Sequence, residues 1–340
     1  MKAFVTGGTG LLGGNLIRSL REQGYEVTAL VRDRLVGERV LGDTGARLVE
    51  GDLLDVGRFA AALEGCDVLF HTAAYFRETF QPGEHDDRLQ AVNVDGTVAL
   101  LEAADRAGVG KAIHVSSAGV VGHRPGGGPA DESVPADRGV LRNPYLRSKV
   151  RSEQAVADFL RTHRLPVVVI LPSWLFGPHD TAPSSSGRLV RNFLAGAIPA
   201  VLPGGGKVAD ARDVAQAMIA AVEHGRSGER YIVGGPYAST RQIFSTLEAV
   251  SGVPAPTRRP AYPVALTVAW VAQGLARLRR VPALVNVKAV RTLHHDNPTS
   301  SDKAVRELGL VLRPLEETLR DTVDWCRAVE AVAAGRVAAG

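Results

Sequence analysis

Along the first half of the chain, short apolar and β-branched runs alternate with longer stretches whose apolar positions recur every three or four residues. The short runs Lys2–Thr6, Glu26–Val31, Arg47–Glu50, Asp67–His71, Lys111–Ser116 and Val167–Leu171 predict strands. The longer stretches Leu11–Glu22, Val56–Leu63, Gln90–Ala107 and Pro144–Thr162 predict helices. Strands alternating with helices imply βαβ units, because parallel neighbours need a crossover long enough to hold a helix. With right-handed crossovers the expected class is α/β, a doubly wound parallel sheet covered by helices on both faces.

The regularity stops at Pro172. Pro172, Pro178, Pro183, Pro199 and Pro203, with Gly204-Gly205-Gly206, predict loops and short elements. A strand-like Arg230–Val233 follows, then helical stretches near Thr240–Val250, Val264–Ala276 and Leu315–Ala331. The expected organisation is a sheet domain of 1–171 plus 207–235 and a smaller, mainly C-terminal lobe of 172–206 plus 236–330. The small-residue tail 331–340 is expected to fray.

Composition narrows the classes. The 340 residues are 45% hydrophobic and 22% charged, ordinary globular values that exclude a largely disordered chain. Two cysteines, Cys66 and Cys326, are too few for a disulfide framework or a cysteine-based metal site, so a reducing compartment and no metal are expected. The net charge of +4 comes from 34 Arg and 6 Lys with no long block of like charge, so no nucleic-acid partner is expected. Met1–Val5 meets glycines at once, without the apolar core of a signal peptide. Val264–Leu275, interrupted by Gln273 and Gly274 and followed by Arg277, Arg279 and Arg280, is too short to span a bilayer. It reads as a buried helix rather than a membrane-surface one, and the protein as soluble and cytoplasmic with no membrane partner.

Directly after the first strand comes Thr6-Gly7-Gly8-Thr9-Gly10-Leu11-Leu12-Gly13. Gly7 permits the tight turn, Gly10 lets a phosphate reach the backbone, and Gly13 lets the helix pack close to the strand. Free N–H groups and the positive dipole end at the helix start suit a pyrophosphate. In this strand-to-helix context, Gly7, Thr9, Gly10, Leu11, Leu12 and Gly13 predict a dinucleotide-binding Rossmann domain. The second strand ends in Leu30-Val31-Arg32-Asp33-Arg34. An acidic residue there would hold the ribose 2′-OH of NAD, whereas a guanidinium suits the 2′-phosphate of NADP. Arg32 favours NADP(H), and Asp33 keeps NAD(H) open.

Tyr145 and Lys149 lie four apart on a helix with Asn143 as its cap and Pro144 at its first position. They share a face, so the ammonium can favour the phenolate and bring the tyrosine into acid–base range. Ser117 ends the fifth strand, at the carboxyl edge where open α/β sheets bind ligands, and its hydroxyl can hold a reacting oxygen. Between Ser117 and Tyr145, the Gly- and Pro-rich Gly119–Arg142 is long enough to form a mobile wall or lid. The aromatics Tyr75, Phe76, Trp174 and Phe176 fit either an apolar pocket or core packing.

Glycine loop, strand-end serine and Tyr/Lys pair, in this order, resemble the short-chain dehydrogenase/reductase superfamily in its extended branch, the NAD-dependent epimerase/dehydratase family. The resemblance runs from Lys2 to about Arg327. It includes Asp52, His71-Thr72-Ala73-Ala74, Asn93-Val94-Asp95-Gly96-Thr97 and Leu171-Pro172-Ser173 leading to Gly177-Pro178. It implies that Asp52 and Leu53 contact adenine, that Ala73 and Ala74 line the dinucleotide, and that Pro172 and Ser173 lie beside the nicotinamide. Tyr145 and Lys149 would also touch the cofactor, Asn93 would brace the core, and the smaller lobe would bind substrate. From the residues alone, Asp52 also fits a surface turn and His71 a buried strand-end histidine. His71 stays outside the catalytic set of Ser117, Tyr145 and Lys149.

Val31-Arg32-Asp33 and Trp174-Leu175-Phe176 look most like the dihydroflavonol-reductase-like and aldehyde-reductase-like group. That implies an NADPH-dependent oxidoreductase reducing a ketone or aldehyde to an alcohol. Ser117-Ala118-Gly119 stands where nucleotide-sugar dehydratases carry Thr-Asp-Glu. The alternatives are an NAD-dependent nucleotide-sugar epimerase and a non-catalytic dinucleotide-sensing regulator. The resemblance also allows a homodimer through Gln90–Ala107 and Pro144–Thr162.

Overall fold

A computed structural model describes residues 1–76, 84–279, 287, 290 and 297–333. The sheet half begins with β1 (Lys2–Thr6), α1 (Leu11–Glu22), β2 (Glu26–Val31), α2 (Arg34–Leu41), β3 (Arg47–Glu50) and β4 (Val68–His71). Next come α3 (Asp86–Gln90), α4 (Gly96–Arg106), β5 (Lys111–Val115), α5 (Arg138–Leu141), α6 (Pro144–Leu160) and β6 (Val167–Pro172). After Pro172 lie β7 (Trp174–Phe176), α7 (Ser185–Leu194), β8 (Gly205–Asp210), α8 (Ala211–Glu223), β9 (Arg230–Val233) and β10 (Tyr237–Ser239). The remaining helices are α9 (Thr240–Ser251), α10 (Tyr262–Arg279), α11 (Asp302–Leu308) and α12 (Leu315–Ala333).

The central sheet has seven parallel strands in the order β3-β2-β1-β4-β5-β6-β9. Its β1 shows why the strands read as unbroken apolar runs. Ala3 and Val5 enter one core, with Leu16, Ile17 and the inner face of α8, while Phe4 enters the other, with Leu100, Leu101 and Phe159. A strand buried on both faces needs apolar residues at successive positions. A third core, around Phe176, Phe193, Phe244, Leu319 and Val323, joins α7, α9 and α12 to a small sheet of order β10-β8-β7.

Several elements differ from the sequence reading. Val56–Leu63 is not one helix but two 3₁₀ pieces, Leu53–Arg58 and Ala60–Leu63, with Asp55 at a non-helical φ of −144° and ψ of 69°. Gln90–Ala107 is interrupted, since a π turn at Ala91–Asp95 separates α3 from α4. Of 207–235, only β9 enters the central sheet, while β8 pairs with β7 and β10. The sequence reading also passed over α2, α3, α5, α7, α8 and α11, and the three-residue β7 and β10. At the C-terminus, α12 continues through Ala333, so the start of the expected frayed tail is helical, and 334–340 lie outside the described residues.

Candidate active site

Because all seven central strands run in one direction, their carboxyl ends form a single edge. Strand order reverses between β1 and β4, which opens a crevice there. Gly7 enters the loop with φ of +76°, and a Cβ on it would lie 2.6 Å from Thr72 Oγ1 and 2.7 Å from Ala73 N. The glycine therefore seats the loop on the segment after β4 and brings Gly7 and Ala73 together, with the partly buried Ala74 next in line. At Gly13 a Cβ would meet Gly7 O at 2.3 Å, whereas at Gly10 it would meet only Gly7 O, at 3.3 Å. Leu11 and Leu12 are buried, Thr9 is half-buried, and α1 begins without a side-chain cap or an acidic residue in its first turn. This cradle fits a pyrophosphate: open backbone donors, no competing carboxylate and a close approach at Gly10.

At the end of β2, Arg32 is exposed, while the Asp33 carboxylate accepts the Val36 N–H at 3.1 Å and caps α2. Asp52 likewise caps the first 3₁₀ turn through Leu54 N–H at 3.0 Å, and Leu53 beneath it is buried. Pro172 pairs with Val233, and the Ser173 N–H donates to Val233 O at 3.0 Å. The Ser173 Oγ is buried without a hydrogen-bond partner among the described residues.

The start of α6 follows from its sequence: Asn143 accepts the Tyr145 N–H at 3.1 Å, and Pro144 fills the first position. Tyr145 packs obliquely on Phe76, with ring centroids 4.6 Å apart. Lys149, 2% exposed, donates to the Val115 carbonyl at 2.8 Å, at the end of β5. Ser117 lies two residues farther on, its Oγ accepting the Gly119 N–H at 3.2 Å. A Cβ on Gly119 would lie 2.9 Å from Leu146 and 3.4 Å from Ser117 Oγ, so glycine here lets α6 close on the serine. Lys149 and Ser117 thus meet at the end of β5, with Tyr145 one turn before Lys149 on α6 and packed on Phe76. Burial pushes the Tyr145 phenol above its ordinary value and pulls Lys149 down to about 8. Desolvation therefore outweighs the expected lowering of the tyrosine, with the ammonium directed at a backbone carbonyl.

One residue that the sequence reading missed is Glu153, a further turn along α6. It receives the Ser116 hydroxyl, pairs with Arg230 at 3.0 Å, and opposes the fall in the Lys149 pKa. The signal was present as spacing, since Tyr145, Lys149 and Glu153 recur at intervals of four. Asn93, carried by the π turn, accepts the Tyr75 N–H at 2.7 Å and donates to Ser148 Oγ at 3.0 Å. Ser148 in turn donates to Tyr145 O at 2.7 Å, which ties the brace to the tyrosine's own turn. His71 bridges Thr6 and Thr97 at 2.8 and 3.0 Å, and burial holds its pKa near 3. It is a neutral core histidine.

The proposed lid is pinned in its middle. Ala130 N donates to Pro298 O at 2.7 Å, Ser300 N donates to Ala130 O at 2.8 Å, and Glu132 accepts the Ile232 N–H at 2.8 Å. Exposure is greatest over 123–129, which includes three left-handed glycines, Gly126, Gly127 and Gly128. Among the aromatics, Phe176 is wholly buried in the third core, with the half-buried Trp174 packed edge-on against it at 4.9 Å.

Residues 3–234 match the NAD dependent epimerase/dehydratase family. A Synechocystis sp. protein named for dihydroflavonol 4-reductase is 35% identical over 95% of this chain and 93% of its own. Sterol demethylase protein B of Methylococcus capsulatus is 36% identical over 96% of this chain and 98% of its own. The crystal structure of gox2253 superposes with a TM-score of 0.81 at 33% identity, covering 99% of each chain. Other relatives carry ketoreductase, hydroxysteroid dehydrogenase and UDP-glucose 4-epimerase names. A glycine cradle at a topological switch point, in a chain that matches this family along most of its length, identifies the protein as a member of the NAD dependent epimerase/dehydratase family, the extended short-chain dehydrogenases/reductases, and as an NAD(P)-dependent oxidoreductase.

Proposed function

We propose that the protein is an NADPH-dependent reductase that converts a ketone or aldehyde to an alcohol. The observation that carries this reading is buried Lys149 at the end of β5, beside Ser117 and one helical turn after Tyr145. NADPH, when bound, supplies the hydride. Tyr145 donates the proton to the substrate oxygen, and because burial alone raises its pKa, this task needs the positive charge of Lys149 to stabilise the phenolate left behind. Ser117 orients the same oxygen by a hydrogen bond. Lys149 supplies positive charge behind the tyrosine and is held in place by Val115 O. Gly7, Thr9, Gly10, Leu11, Leu12 and Gly13 would hold the pyrophosphate, Asp52 and Leu53 the adenine. Ala73, Ala74, Pro172 and Ser173 would line the path to the nicotinamide.

The NADP preference is supported by the division of labour after β2. Asp33 is spent on capping α2, which leaves the Arg32 guanidinium exposed for a 2′-phosphate. Residues 1–171 with the β9 segment would form the cofactor domain, and the third core the substrate lobe. A homodimer through the outer faces of α4 and α6 accompanies this reading and is tested by sedimentation.

The decisive experiment follows NADPH oxidation with aromatic aldehydes, ketones and nucleotide sugars, with and without added cofactor. Turnover of a carbonyl that requires added NADPH is expected. Sugar epimerisation by the purified chain with retained NAD and no added cofactor would overturn it in favour of an epimerase. Tyr145→Phe should lower turnover by about 10²–10⁴-fold while leaving dinucleotide binding intact.

A further inference from the structure

The helix α10 carries apolar side chains on both its inner and its outer face. Ala265 and Ala269, 2% and 0% exposed, face inward against Val287 and Val290, with the partly buried Tyr262 and Leu266 of the same helix and Leu202 packed around them. The bulkier Val264, Val268 and Val271 form an outward stripe, each 54% to 57% exposed, and Trp270 beside them is 56% exposed. A helix that buries its apolar face in its own protein turns the large side chains inward. Here three valines and a tryptophan stay outside although the inner face is already apolar, and the sequence expectation of a buried helix fails on this face.

Charge supplies a second, independent observation. From Ala249 to His295 the sequence has no Asp or Glu and seven Lys or Arg, although the chain carries 36 acidic residues elsewhere. Two of these cations, Arg258 and Arg259, are exposed immediately before the helix. An apolar stripe that includes a tryptophan and is preceded by two exposed arginines, in a stretch of sequence without carboxylates, suits an interface that is oily within and anionic at its edge. A bilayer offers both without demanding shape complementarity. No helix among the described residues is long and apolar enough to cross a membrane, so the contact is with the surface.

We propose that α10 docks this protein on an anionic lipid bilayer, with Val264, Val268, Trp270 and Val271 entering the acyl boundary and Arg258 and Arg259 meeting the headgroups. This inference is independent of the reaction assigned to the active site.

The test is cosedimentation of the full chain with vesicles of phosphatidylcholine containing phosphatidylglycerol, against vesicles of phosphatidylcholine alone. Binding is expected only to the anionic vesicles, with a blue shift in tryptophan emission that Trp270→Phe removes. Val268→Asp with Val271→Asp should weaken binding more than about tenfold. Arg258→Gln and Arg259→Gln should each weaken it about fivefold. All variants should keep the melting temperature and dinucleotide binding of the parent. The proposal is overturned by absent cosedimentation, by equal binding to neutral vesicles, or by aspartate variants that bind like the parent. A lipid-free dimer that the aspartate variants dissolve would assign the face to a second copy of the chain and also overturn it.

Discussion

At the scale of single residues, the site is governed by which polar group has already been used. The Asp33 carboxylate, engaged by Val36 N–H, is less available to a ribose hydroxyl than its position suggests, so the proposed NADP preference rests on Arg32. Replacing Arg32 with Ala should raise the KM for NADPH by about 10–100-fold, the worth of a charge-assisted hydrogen bond of about 1.5–3 kcal/mol, and leave the KM for NADH nearly unchanged. Equal KM changes for both cofactors would refute the assignment. Glu153 is a positioning residue, acting through Lys149. In Glu153→Gln the carboxylate that supports the ammonium is lost, so the Lys149 pKa, already near 8, falls further. The limb of the pH–rate profile governed by Lys149 should then move to lower pH. A stability loss with an unmoved limb would reduce Glu153 to a structural partner of Arg230.

At the scale of elements, the loop between β1 and α1 separates two uses of glycine. Gly13 is a packing requirement, because a methyl group there runs into the Gly7 carbonyl at 2.3 Å, and backbone cannot move aside cheaply. Gly13→Ala should destabilise the fold by roughly 1–3 kcal/mol and disturb the loop with it. Gly10 has only a 3.3 Å contact to consider, so Gly10→Ala should fold with a melting temperature close to the parent's. Its dinucleotide binding should nevertheless fall, because the methyl group would occupy the approach to the phosphate. Thermal melts and cofactor titration of the two variants separate these effects; equal destabilisation would show that the two glycines play one role. The π turn at Ala91–Asp95 is a comparable device, since the wide turn carries Asn93 to both Tyr75 and Ser148.

At the scale of the whole molecule, the sheet interior sets the acid limit of stability. His71 and His114 stand side by side on β4 and β5, ring centroids 5.1 Å apart, and burial keeps both neutral. In the unfolded chain each histidine takes up a proton near pH 6.5. The folded chain refuses it, down to about pH 3 at His71. Between these values the unfolded state binds more protons, so stability is full above about pH 6.5 and is lost as pH falls. The expected slope is about 1.4 kcal/mol per pH unit for each histidine. Urea midpoints at pH 7 and pH 5 measure it, and an unchanged midpoint would contradict the buried, neutral pair. On the α8 side, Asp213 holds the Arg313 guanidinium and accepts the Arg313 backbone N–H at 2.7 Å, while Arg212 bridges Asp210 at 2.7 Å and Asp321 at 2.6 Å. These pairs fasten α8 to α12 and the segment before it.

What could be read from the sequence was local. Strand positions followed from runs of apolar residues, the start of α6 from Asn143 and Pro144, and the cradle from glycines at positions where a side chain would strike backbone. The tertiary structure decided which partner each polar group takes and which face each helix turns outward. Asp33 became a cap, Glu153 met Ser116 and Arg230, and Glu132 fastened the presumed lid to β9. Val56–Leu63 broke into two 3₁₀ turns, and α10 turned its valines away from the core. Propensity and periodicity fix backbone conformation over a few residues. Pairings across tens of residues and the choice of buried face are fixed only when the elements pack, because only then is water removed from one side and a partner supplied on the other.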